Sequence, residues 1–73
     1  MDSRCYQIGW NMAADDMEPL PAWRLSRLAE DVAKQEYPDV TDEQRLFHGN
    51  RFMNGYDDCF ARRTGWAQGK ARF

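Results

Sequence analysis

Apolar positions recur along this chain at helical spacing, in three blocks separated by proline-containing segments. Cys5, Ile8, Gly9, Met12 and Ala13 follow the i, i+3, i+4, i+7, i+8 pattern of one buried face. With Asp2 or Ser3 as a cap, they predict a first helix over residues 4–14. Asp15-Asp16-Met17-Glu18-Pro19-Leu20-Pro21 stops it, because a proline pushes the residue before it into extended geometry. Leu25, Leu28, Ala29, Val32 and Ala33 form the stripe of a second helix, opened by Pro21 at its first turn and running to about residue 36. Tyr37-Pro38-Asp39 ends that stripe.

Thr41 followed three residues later by Gln44 is a capping box, and Asp42 and Glu43 suit the positive end of the helix dipole. A third helix is expected from about residue 42 to 62, on the stripe Leu46, Gly49, Met53, Tyr56, Phe60 with Phe52 and Cys59 alongside. Gly49 and Gly55 each cost about 1 kcal/mol relative to Ala inside a helix, so a break is weighed near Gly49-Asn50. No stretch alternates long enough to predict a strand. The expectation is an all-α domain of three helices over residues 1–63, with a Pro-containing connector and a short basic tail over residues 64–73.

Two segments share a spacing. Tyr6-Gln7-Ile8-Gly9-Trp10-Asn11-Met12-Ala13 and Phe52-Met53-Asn54-Gly55-Tyr56-Asp57-Asp58-Cys59 both read aromatic, two residues, Gly, aromatic, two residues, small. On a helix each sets an aromatic ridge beside a shallow strip, and such surfaces interlock ridge into strip. The match covers only eight positions, which makes it a packing device and not a duplication.

At 73 residues the chain is one small domain at most. A domain of that size buries only about 60% of its unfolded surface, which leaves little room for a deep cleft. Hydrophobic residues at 42% and charged residues at 30% are globular proportions. No apolar run approaches the ~20 residues of a membrane span, and the first residues lack the layout of a secretory signal. A cytoplasmic protein is therefore expected, in which Cys5 and Cys59 are buried thiols in preference to a disulfide. Charge is uneven: residues 1–61 hold 12 acids and 6 bases, a balance of −6, while residues 62–73 hold four bases and no acid.

Enzyme chemistry finds little support. His48 is the only histidine and has neither a partner carboxylate nor a pocket visible in sequence, so a structural role is expected. Asp15, Asp16 and Glu18 lack the spaced ligands and turn glycine of a calcium loop. Cys5, Cys59 and His48 lack the paired spacing of a zinc site. No catalytic residue, metal or cofactor is assigned.

Exposed aromatics point to binding instead. On a helical wheel Trp23 lies opposite the apolar stripe, beside Arg27, Glu30 and Lys34. It is either a partner anchor or a ring folded back over Pro19 and Pro21. Phe47 lies off its stripe and either binds or packs under the turn at Tyr37 and Val40. In the tail, Arg62, Arg63, Lys70 and Arg72 interleave with Trp66 and Phe73, which suits single-stranded nucleic acid, an acidic protein surface or plain solubility. The residues chosen as partner contacts are Tyr6, Trp10, Trp23, Arg62, Arg63 and Trp66.

Two resemblances bear on function. Tyr6-Gln7-Ile8-Gly9 and Phe52-Met53-Asn54-Gly55-Tyr56 resemble segments of the ribosome modulation factors, which are strongly basic and bind ribosomal RNA, whereas this chain is net acidic. The opening Met1-Asp2-Ser3-Arg4-Cys5-Tyr6-Gln7-Ile8-Gly9-Trp10, the length and the basic Trp-containing end resemble the small transcription regulators of lytic bacteriophages. That second resemblance covers the whole chain. It implies a non-enzymatic monomer that binds host bacterial RNA polymerase by protein–protein contact, interferes with the sigma factor at promoters and promotes antitermination. No contact residue carries over from it.

Overall fold

The computed structural model describes residues 4–64, which form α1 (Arg4–Asp15), α2 (Ala22–Glu36) and α3 (Asp42–Thr64). Among the described residues there is no strand, and no helix is long and apolar enough to cross a membrane. The protein is a small all-α domain.

Local chemistry accounts for each boundary. Pro21 is extended, at φ −59° and ψ 150°, and its carbonyl accepts the Arg24 and Leu25 N–H groups, both at 3.0 Å. At the other end of α2, the Tyr37 N–H donates to the Ala33 carbonyl at 2.9 Å before the backbone leaves helical geometry ahead of Pro38. The capping box forms as read. The Gln44 N–H donates to Thr41 Oγ1 and the Thr41 N–H donates to Gln44 Oε1, each at 3.1 Å.

α3 is the spine. α1 and α2 lie along it and barely meet each other. Arg4, at the start of α1, reaches Glu36 at the end of α2 (3.6 Å), so these two helices run in opposite directions. Phe52 and Tyr56 are fully buried in the core with Cys5, Ala13, Leu25, Ala29, Cys59 and Phe60. Cys5 and Cys59 carry no disulfide.

The glycine strips interlock. A side chain on Gly9 would run into the Phe52 carbonyl and stand 3.1 Å from the Tyr56 nitrogen. One on Gly55 would run into the Tyr6 carbonyl. α1 and α3 therefore touch backbone to backbone, at a separation that only glycine permits.

α3 runs unbroken through Gly49-Asn50, as the single expected helix does, because Gly49 packs on Ala29 of α2 and tertiary contact overrides the propensity penalty. Three expectations change. α3 reaches Thr64, two residues beyond its expected end. Leu46, read as a core position, is 67% exposed. Opposite it α2 presents Ser26, Ala29 and Glu30, which line a shallow groove and do not cover it. The connector is also less solvated than its acids suggest. The buried Tyr56 hydroxyl donates to Asp16 Oδ2 (2.6 Å) and accepts the Leu20 N–H (3.2 Å), pinning the segment to α3.

Candidate partner-binding surface

Tyr6 and Trp10 are four residues apart on α1 and so share a face, with ring centroids 6.3 Å apart. Across the seam, α3 presents Arg51, Gly55, Asp58 and Arg62 in steps of four, three and four, which is one stripe. Because Gly55 lets α1 sit against the backbone, the longer side chains of that stripe wrap the α1 rings. The Arg51 guanidinium carbon lies over the Tyr6 ring, 5.9 Å from its centroid, and that of Arg62 lies over Trp10 at 5.8 Å. The Tyr6 hydroxyl donates to Asp58 Oδ2 at 2.6 Å. That hydrogen bond, with desolvation and the Asp58 charge behind it, holds the Tyr6 hydroxyl above its ordinary pKa. The seam is thus a row of guanidinium, two rings and guanidinium, locked by one carboxylate.

Of the contacts chosen from sequence, Tyr6, Trp10 and Arg62 come together here. Arg63 follows Arg62 along α3, and its side chain lies outside the described residues, as does Trp66. Trp23 stands apart on α2, 64% exposed. Arg51 and Asp58 were not chosen as contacts. The signal for them is positional: once Gly55 is assigned to the α1 contact, residues four before, three after and seven after must rim it.

A second aromatic cluster ties the other end together. The half-buried His48 ring stacks on Tyr37 with centroids 3.8 Å apart, Phe47 meets His48 edge-on, and the Arg4 guanidinium lies 5.1 Å from the Tyr37 centroid. His48 thereby joins the C-terminal end of α2 to α3. Phe47 borders a hollow with Tyr37 and Val40, as one reading had it, yet remains 55% exposed. Among the described residues, no group of three or more His, Cys, Asp or Glu side chains is placed to hold a metal ion. No family model, curated protein or solved structure matches this chain.

Proposed function

We propose that this protein is a phage-encoded, non-enzymatic regulator that binds host RNA polymerase in the bacterial cytoplasm. Binding inhibits initiation by interfering with sigma-dependent promoter recognition and promotes antitermination. The whole-chain resemblance to small phage transcription regulators supplies the partner. The observation that carries a binding role is the α1–α3 seam, where Tyr6 and Trp10 sit between Arg51 and Arg62. Aromatic and arginine side chains held in place by their neighbours are the residue types that dominate protein interfaces.

The ribosome-modulator reading draws on Tyr6-Gln7-Ile8-Gly9 and Phe52-Met53-Asn54-Gly55-Tyr56. Both are engaged in the α1–α3 contact: Gly9, Phe52, Gly55 and Tyr56 are buried, and helix packing explains them without RNA.

Capture from bacterial lysate on the immobilised full chain, with and without nuclease, tests the proposal. RNA polymerase subunits retained after nuclease treatment are the expected result. Loss of polymerase on nuclease treatment, or capture of ribosomal proteins that nuclease releases, would favour the ribosome-associated reading.

A further inference from the structure

We infer that the α1–α3 seam recognises an acidic protein segment, seating carboxylates on Arg51 and Arg62. The inference deepens the binding role proposed above and rests on it for the existence of a protein partner.

Four observations converge. Arg51 and Arg62 share one stripe of α3 and stand eleven residues apart, roughly 16 Å along the axis. Each guanidinium lies over a half-buried ring of α1. This reduces the conformational freedom lost when a ligand binds, and the planar fork of N–H donors matches a carboxylate. Among the described residues, neither Arg51 nor Arg62 has a carboxylate in ion-pair contact.

Among the described residues, acid is scarce on the α1 side of the seam. α1 has none before Asp15, and the exposed positions beside the rings, Gln7 and Asn11, are neutral hydrogen-bonding side chains. Asp58 is the acid within the row; one of its oxygens accepts the Tyr6 hydroxyl, and its charge, with that of Asp57 beside it, sets the repulsion that a bound carboxylate must overcome.

The same geometry argues against nucleic acid. Single-strand binders offer open ring faces for bases to stack on. Here a guanidinium lies over each ring, and the rings also stack on each other. The axial rise between the two arginine positions corresponds to acidic positions about five residues apart in an extended strand, at ~3.3 Å per residue.

The test uses the full chain at low salt and fluorescence anisotropy. The probe is a fluorescein-labelled Gly-Ser peptide with two Glu-Glu pairs whose first glutamates are five residues apart, and the competitor is an oligothymidylate of equal charge. The peptide is expected to bind, and Arg51→Gln and Arg62→Gln should each weaken it roughly fivefold. At this separation the two effects should combine to roughly 25-fold. The oligothymidylate should fail to displace the peptide at equal concentration.

Circular dichroism checks the fold of each variant. Arg62 is exposed, so Arg62→Gln carries the test if Arg51→Gln perturbs packing. No binding to the unmodified chain, unchanged affinity in the folded variants, or equal displacement by the oligothymidylate would each overturn the inference. Capturing polymerase on the double variant separates the two proposals. Retention equal to that of the unmodified chain sinks the seam and leaves the polymerase reading standing. Arginine-dependent peptide binding by a chain that retains no polymerase does the reverse.

Discussion

Gly9 and Gly55 occupy reciprocal positions: Gly9 of α1 rests on the Phe52 carbonyl of α3, and Gly55 of α3 rests on the Tyr6 carbonyl of α1. Neither obstructing atom belongs to a flexible side chain, so an added methyl must move a helix. Gly9→Ala and Gly55→Ala each gain about 1 kcal/mol of helix propensity and lose more to overpacking. A net loss of roughly 2 kcal/mol is expected, lowering the melting temperature by about 10 °C. Gly49 is the control. The nearest atom to a side chain there is the Ala29 carbonyl oxygen at 3.5 Å, an ordinary contact. Gly49→Ala should therefore raise the melting temperature, by a few degrees for about 0.5–1 kcal/mol. Thermal melts of the three variants that moved in the same direction would contradict this.

Tyr56 makes stability fall in strong alkali. Burial, then the hydrogen bond to Asp16, pushes its hydroxyl up to about 12 from 10.0. Below pH 10 the phenol is neutral in both folded and unfolded chains, and its contribution is fully present. As pH rises from 10 through about 12, the unfolded chain releases the proton first, so unfolding gains about 1.4 kcal/mol per pH unit. Denaturant melts across that window should show a steeper slope for the unmodified protein than for Tyr56→Phe, which keeps only the contribution of Tyr6. At neutral pH the same variant should lose about 1–3 kcal/mol, since the Leu20 N–H and Asp16 lose their partner.

The capping box offers a local check. Thr41→Ala removes the oxygen that accepts the Gln44 N–H and should destabilise the protein by about 1 kcal/mol. Gln44→Ala in that background should add little, because the Thr41 N–H is exposed and water can replace the lost acceptor. A loss on Gln44→Ala as large as that on Thr41→Ala, read from thermal melts, would show that water does not replace it.

The tryptophans separate binding from packing. Trp23 is 64% exposed on α2, away from the seam, so Trp23→Ala should leave stability within about 0.5 kcal/mol and polymerase capture unchanged. Trp10→Ala and Arg62→Gln strike the seam itself and should reduce capture, the arginine variant with its melting temperature nearly intact. Capture lost with Trp23→Ala and kept with Arg62→Gln would move the binding face to α2.

Much of the fold is legible in the residues before any coordinate. Pro19, Pro21 and Tyr37-Pro38-Asp39 mark the breaks, the Thr41–Gln44 pair marks a helix start, and the matched aromatic-Gly-aromatic segments mark the helix contact. What escapes is tertiary. A helical wheel assigns Leu46 to a face but cannot say how far a neighbour extends, and α2 offers only small or polar side chains beside it. Gly49 reads as a weak point until Ala29 is seen packed on it. The seam was half legible. Tyr6, Trp10 and Arg62 follow from type and position, whereas Arg51 and Asp58 gain meaning only once Gly55 brings α1 against their stripe.

With α3 as a shared mast, the outer helices hang on it as separate leaves. Apart from the contacts of Arg4 and the short prolyl tether, little obliges one to follow the other. A first leaf severed in that tether and added back as a free peptide should find its two glycine seats again.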